Sequence, residues 1–359
     1  MNNQLHSEAR TLRSETSDAM SLVEKRAIAC RLLKWIVSFL GLPNGWLGET
    51  LGAIIISLFL ILVSWISNRI VGVSLTAGEA IALAAISVLA GGSFLIVKRL
   101  HEITLPPNKE RVLHMISNVK GLSSIKHWFE STFRLSRQIL GSLLTSLAAV
   151  ITLSCLSFFS SYINISLGLF IAVFGSMFAV GNGLYCAIVI PTLSRCIADC
   201  TLDLYPYNPA TTIGMSATVS VFSKLTLANG FVSTYVIILL FTASPWTNTQ
   251  TIAVTIVWML LGWGVTIYSF VYPNYYLSKP VARVRLQTLE ILDNLIIQHH
   301  SNVQRNVITG NDALTQLIDL RDRVNKSRTS TINFLGIKDY FSSLLLPLLT
   351  FLIGLYQLQ

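Results

Sequence analysis

The sequence predicts an all-α, polytopic integral membrane protein, on three observations. Hydrophobic residues make up 52% of the 359 and charged residues only 12%, where a soluble domain spends about a quarter of its residues on charge. The apolar residues are gathered into charge-free stretches near the length of about 20 that crosses about 30 Å of hydrocarbon at about 1.5 Å per residue. Of the 26 Lys and Arg residues, only Arg69 falls in one of the short linkers between paired stretches.

Six stretches qualify: Leu51 to Ser67, Ala80 to Val97, Ile139 to Tyr162, Ser166 to Leu193, Asn229 to Pro245 and Thr251 to Tyr272. They pair into three hairpins, which sets the expected organisation. A cytoplasmic N-terminal segment with an amphipathic interfacial helix occupies 1–50, hairpin one 51–98, a cytoplasmic helical loop 99–138 and hairpin two 139–195. Next come a cytoplasmic connector at 196–228, hairpin three at 229–276, a cytoplasmic helical hairpin at 277–338 and a re-entrant or seventh membrane segment at 339–359. Basic residues beside spans are retained in the cytoplasm, so the distribution of Lys and Arg puts the N-terminus inside a cell (inner) membrane. Trp65 and Trp246 near outer ends, with Tyr268, Tyr272, Tyr275 and Tyr276 at the inner end of span six, fit interfacial aromatic belts.

In order along the chain, Met1 to Lys25 is polar and lacks the apolar core of a secretory signal. Ile28 to Leu40 carries an apolar stripe flanked by Arg31 and Lys34, suited to the inner interface, and Pro43-Asn44-Gly45 redirects the chain. One or two short helices are expected over Arg111 to Ile125. After span six, Val281, Val284, Ile291, Leu292 and Leu295 form one stripe and Ala313, Leu317, Leu320 and Val324 another, separated by Thr309-Gly310-Asn311, as in an antiparallel helical hairpin. Tyr340 to Leu358 is apolar with Pro347 at its centre, as a membrane-embedded half-span or a full crossing would be.

The chemistry expected is sparse. Within these six stretches there is no Asp, Glu, Lys, Arg or His, whereas proton relays and intramembrane metalloproteases place such groups at mid-membrane. No H-E-x-x-H, P-loop or dinucleotide fingerprint occurs. No enzymatic activity, catalytic residue, cofactor or metal is expected. Cys30, Cys155, Cys186, Cys196 and Cys200 lie in or beside apolar segments and read as packing residues rather than a disulfide framework. The net charge of +9 reflects topology and anionic headgroups, so no direct nucleic-acid binding is expected.

Two places hold the candidate residues. Span four carries small residues at four-residue spacing, Gly168, Ala172 and Ser176 on one face and Gly175, Ala179, Gly183 and Ala187 on another, which permits close helix approach inside a bundle or between subunits. Asn182, between two glycines, is its most polar position, suited to an interhelical hydrogen bond or to a pore lining. After span four, Tyr205, Pro206, Tyr207, Asn208 and Pro209 form a rigid turn that either connects passively or couples cytoplasmic movement to the membrane. The sequence therefore points to a homo-oligomeric channel or pore-like effector controlled by its cytoplasmic helices, or to a non-transporting scaffold that recruits a cytoplasmic protein. Its expected partners are the lipid bilayer, anionic lipid at the cytoplasmic face, further copies of itself and a cytoplasmic protein.

Overall fold

The computed structural model describes residues 11–19, 27–43, 45–104, 106–155, 167–242, 248–304, 312–328, 331 and 334–357. Among them the regular structure is helical, with no strand and one isolated antiparallel bridge, Ile116 to Leu202. In chain order the helices are α1 (11–19), α2 (Ile28–Phe39), α3 (Trp46–Ile70), α4 (Ala77–Thr104), α5 (Pro106–His114), α6 (Val119–Thr132) and α7 (Leu135–Cys155). They continue with α8 (Leu167–Val189), α9 (Leu193–Ala198), α10 (Ile213–Thr242), α11 (Asn248–Gln304), α12 (Asp312–Lys326) and α13 (Phe334–Gln357).

Four helical stretches among the described residues are long and apolar enough to cross a membrane: Trp46–Ile70, Leu167–Ala198, Ile213–Ile238 and Ile252–Ser301. Leu135–Ile151 and Tyr340–Tyr356 are shorter apolar stretches beside them. The outward sides of these helices are apolar, as Leu58, Phe59, Leu144, Leu147, Leu260 and Leu261 illustrate. In water such a surface would aggregate; in lipid it is solvated.

At one end the bundle is closed by a cap. Leu33 of α2, Ile116, then Leu122, Ile125 and Phe129 of α6, Ile197 of α9, Met215 of α10 and Leu277 and Val281 of α11 bury their side chains in one apolar cluster. Trp128, Phe129 and Phe133 form an aromatic triad inside it. Asn118 caps α6, its side chain accepting from Gly121 N at 3.2 Å. Backbone bonds Ser117 N to Thr201 O (3.0 Å) and Asp203 N to Met115 O (2.7 Å) tie the segment before α6 to the segment after α9. α1 docks on α6 through Thr16 Oγ1 to Leu122 O (3.3 Å) and through Lys126 and Glu15, 2.7 Å apart. The ion pair with Glu15 raises the Lys126 pKa.

Several boundaries differ from the sequence expectation. The apolar stripe of α2 turns into the protein, with Ala29, Cys30, Leu33, Ile36 and Val37 buried, while Trp35 and Phe39 stack on each other outside. The core offered by α3, α4 and α8 competes with lipid for that stripe and wins. The stretch expected as the end of a cytoplasmic connector, through 228, is instead the first half of α10, because nothing beyond Pro209 breaks the helix. Lys224 therefore lies, half-buried, inside a helix long enough to cross a membrane, against the expectation of charge-free spans. Span six and the first cytoplasmic helix are one 57-residue helix, α11, which runs through Pro273 and Pro280. Asn274 Nδ2 donates to Phe270 O at 2.8 Å and Ser278 Oγ to Asn274 O at 2.7 Å across that stretch, and Thr331 Oγ1 donates to Asn274 Oδ1 at 3.0 Å.

The second half of α11 pairs with α12 through Val281, Leu292 and Val324, with Arg285 donating to Val324 O at 3.1 Å and Arg321 paired with Asp293 at 2.5 Å. Ile291 and Leu295, expected on that contact stripe, are exposed, because the contact follows a different face of the helix. The last segment is continuous through Pro347 as α13 and lies parallel to α10: a Cβ on Gly230 would meet Ser343, and one on Gly354 would meet the Phe241 ring. The expected turns at Ile163 to Ile165 and Thr309 to Asn311, together with Trp246, lie outside the described residues.

Candidate functional site

The inward face of α3 mixes Gly48, Gly52, Ala53 and Ile56 with the polar Glu49, Ser57, Ser64 and Asn68. Glu49, Ala53, Ser57, Ser64 and Asn68 recur at steps of four or seven residues, so they share one helix face, and all five are buried. α4 faces this stripe antiparallel. Lys98 and Arg99 pair with Glu49, the latter at 2.8 Å, and a Cβ on Gly91 would meet the Ala53 carbonyl and the Ser57 hydroxyl. α8 closes the third side, also antiparallel to α3. A Cβ on Gly168 would meet Ser64 O and Asn68 Oδ1, and one on Gly175 would meet the Leu60 side chain. Glycine is required where helix backbones come this close, because a side chain would hold them apart.

These contacts fix the register, and the register places buried polar groups at successive levels. Glu49 and Lys98 stand at the cap end, Asn182 comes level with Ala53, Ser57 lies one turn on, and Ser87 and Ser176 lie near the level of Leu60. Ser64 and Asn68 complete the series at the far end. Glu49 and Asn68 are 19 positions apart, which is about 28 Å of helix, close to the thickness of a bilayer core.

The hydrogen bonds along this line are incomplete. Gly168 N donates to Asn68 Oδ1 at 3.3 Å, Ser57 Oγ to Ala53 O at 3.0 Å and Ser176 Oγ to Ile86 O at 2.5 Å. Ser64 Oγ, Asn68 Nδ2, Ser87 Oγ and both amide atoms of Asn182 are buried without a protein partner. Each such atom loses its water and gains nothing, at a cost of about 1–3 kcal/mol. An interhelical hydrogen bond from Asn182, one of the two expectations for it, is not formed. Beside Asn182, α7 lines the neighbouring interface with Gln138, Ser142 and Ser146, all fully buried, and a Cβ on Gly181 would meet Ser142 and Thr145. Ser142 Oγ is likewise unpartnered.

All eight small or polar residues singled out on span four are thus inside this chain's own bundle. Gly168, Ala172, Ser176, Ala179, Asn182 and Ala187 are buried and Gly175 and Gly183 half-buried, Gly183 against Val97. The ion cluster was missed because Glu49 precedes the first charge-free stretch and Lys98 lies just beyond the second. Their sequence signal was the step of four and seven from Glu49 to Asn68.

The turn lies apart from this line. Tyr205 N donates to Thr212 Oγ1 at 2.9 Å, Thr211 N to Asn208 O at 3.1 Å, and Pro209 is buried at the start of a single 3₁₀ turn that touches α10 and α11. Tyr205, Pro206 and Tyr207 are exposed, and Asn208 Oδ1 is buried without a partner. In the cap, Cys200 Sγ donates to Cys196 O at 3.0 Å, and burial, then Cys196 and Asp199, push the Cys200 thiol up to about 11. Midway along α11, the rings of Tyr268, Tyr272 and Tyr276 follow one another tilted by 41° and 43°, and Lys279 lies over Tyr275 and Tyr276 at 4.5 and 4.8 Å. Among the described residues no group of three or more His, Cys, Asp or Glu could hold a metal ion.

Comparison with known protein families, characterised proteins and solved structures finds no match for this chain.

Proposed function

We propose that this chain is a multi-pass protein of a cell (inner) membrane that acts as a channel or pore-like effector, with the cap and the α11–α12 hairpin on the cytoplasmic side controlling it. The reading supposes seven crossings, α3, α4, α7, α8, α10, the first half of α11, and α13. It extends the six-span expectation because α13 runs parallel to α10. It supposes an internal N-terminus, because the cap carries the basic loops. The observation that supports it best is the polar line from Glu49 to Asn68, with unpartnered atoms on Ser64, Asn68, Ser87 and Asn182. In lipid such atoms are satisfied by water or not at all. The path runs within one protomer, so a homo-oligomer places several paths side by side rather than one pore between subunits. No enzymatic step, cofactor or metal is part of this reading, and neither is nucleic acid. Anionic lipid meets the basic cap.

The test is purified protein in liposomes, with solute flux compared between native protein and Asn182→Leu. Flux that falls in the variant while the protein stays assembled supports the reading, and absence of flux from the native protein contradicts it.

A second reading, a scaffold that recruits a cytoplasmic protein, draws on the α11–α12 hairpin. Leu286, Ile291, Leu295 and Ile297 are exposed on its α11 arm, where no bundle helix covers them. Loss of a co-purifying partner on deletion of 279–338, with no flux from the native protein, would favour it.

A further inference from the structure

We infer that the face of α11 from Tyr272 to Arg283, with Arg195 of α9 beside it, binds the headgroup of an anionic phospholipid of the inner leaflet. This rests on the membrane placement proposed above, with the cap inside, and not on the passage of any solute.

Helix length sets the depth. The apolar stretch of α11 begins at Ile252, and Tyr272 comes 20 residues later, about 30 Å along the helix, which is the thickness of the hydrocarbon core. Lys279 stands about 40 Å from the same start, where the headgroups of the opposite leaflet lie. A separate count agrees. The apolar stretch Leu167–Ala198 begins at Leu167, and Arg195 comes 28 residues later, about 42 Å away. Two cations on different helices therefore stand at one level. α9 packs on α11, and Arg195 is close enough to Tyr272 for its charge to act on the phenol.

The side chains are arranged for an anion. Tyr272, Tyr276, Lys279 and Arg283 follow one another at steps of four, three and four, so they share one helix face. The Lys279 ammonium lies over the Tyr275 and Tyr276 rings at 4.5 and 4.8 Å, a cation–π contact that holds the charge beside the tyrosines. Elsewhere on α11 the protein supplies partners for such groups: Arg285 donates to Val324 O at 3.1 Å, and Asp293 pairs with Arg321 at 2.5 Å. Here it does not. Among the described residues no carboxylate forms an ion pair with Arg195, Lys279 or Arg283, and that includes Asp199, one turn beyond Arg195.

A lipid phosphodiester fits this arrangement. Its charge meets the three cations, and its free oxygens accept from the guanidinium and phenol donors. Its acyl chains continue along the same face of α11, where Leu261 is exposed. A zwitterionic headgroup brings its own ammonium among these cations, so the site selects net negative charge.

The experiment unfolds full-length protein by heat in detergent micelles with phosphatidylglycerol, phosphatidylcholine or inorganic phosphate added. A ligand that binds only the folded state raises the midpoint. Phosphatidylglycerol is expected to raise it by several degrees more than phosphatidylcholine, and inorganic phosphate to leave it unchanged. Arg195→Gln combined with Lys279→Gln, both exposed side chains, is expected to lose most of the phosphatidylglycerol shift. Lys120→Gln, an exposed cation of α6, is expected to keep it.

Equal shifts from the two lipids overturn the inference, as does a shift kept by the double variant or lost equally in Lys120→Gln. A shift with inorganic phosphate overturns lipid as the occupant. Insertion is read separately, as resistance of the protein in phosphatidylcholine vesicles to alkaline carbonate extraction. Release from those vesicles overturns the membrane placement too, whereas lost lipid selectivity with insertion intact overturns the site alone.

Discussion

Two triplets of helices make up much of the bundle, and they treat their buried polar groups differently. In α10, α11 and α13 the hydroxyls are satisfied locally: Thr226, Thr234 and Thr266 each donate to the carbonyl four residues earlier, at 2.9, 2.9 and 2.8 Å. Asn229 Nδ2 donates to Ser269 Oγ at 3.0 Å, which donates to Ala187 O at 3.3 Å, and Trp263 Nε1 reaches Leu344 O at 3.2 Å. On α11, Trp258 Nε1 and His299 Nδ1 are buried without a partner, and the remaining space is filled by Ile237, Phe241, Met259 and Phe351. In α3, α4 and α8 the polar groups are as deeply buried but are left open at Ser64, Asn68, Ser87 and Asn182. Burial of polar residues alone therefore does not mark a path through a membrane protein. Burial without partners, repeated at successive levels of one interface, is the feature on which the proposed channel reading rests.

That contrast can be broken first at the ion cluster. Lys98→Ala leaves Glu49 with Arg99 alone in a buried site and is expected to cost about 3 kcal/mol or more, measured as a loss of thermal stability in detergent. Replacing Glu49 and Lys98 together by Leu and Met is expected to recover most of it, since the buried pair is removed as a unit and the Arg99 side chain left behind is 32% exposed. Equal losses in the single and double variants would show that the site is sensitive to shape and not to charge.

Packing comes next. Gly91→Val drives a side chain into the Ala53 carbonyl and is expected to cost about 1–3 kcal/mol, whereas Gly264→Ala, on the other triplet and with open space around it, is expected to be neutral or slightly stabilising through helix propensity. Smaller again, Thr266→Val removes a hydroxyl that serves only its own helix and is expected to change stability by less than about 1 kcal/mol. A large loss there would mean that the second triplet also depends on its polar groups.

The smallest effect lies in the cap. The Cys200 thiol is raised to about 11 from an ordinary 9.0, so the fold favours the neutral thiol. Its contribution is complete below pH 9 and is lost as pH rises through about 11. Maleimide labelling at pH 7.5 should accordingly be slow at Cys200 in the native protein and fast after unfolding.

Much of the architecture was legible in the sequence because lipid imposes a simple rule on length and polarity. The apolar stretches around α3, α8 and α11 announced themselves, and so did the small-residue pattern on α8, which the structure uses inside the protomer. Ala210 to Phe231 reads as an interfacial or shallow amphipathic helix, but its continuity with the apolar run Phe231 to Phe241 was not legible, because Thr212 to Lys224 mixes polar and apolar residues and only packing on α5 and α13 shows one helix. The ion cluster was hidden by the rule itself: charge-free windows exclude the residues at their edges, and only the antiparallel register of α3 and α4 brings Glu49 to Lys98. The polar face of α3 could have been found by its spacing, since Glu49, Ser57, Ser64 and Asn68 stand out once apolar residues are ignored.

The most direct measurement of the contrast is radiolytic hydroxyl-radical footprinting of the full-length protein in ¹⁸O-labelled water, read by mass spectrometry. Phe94 and Val97, beside the polar line, are expected to take up label from internal water, while Met259 and Phe351, though Met259 is intrinsically the easiest to oxidise, stay unlabelled. Label on Met259 and Phe351 with none on Phe94 and Val97 would contradict the account, because the interface with the unsatisfied groups would then be the dry one.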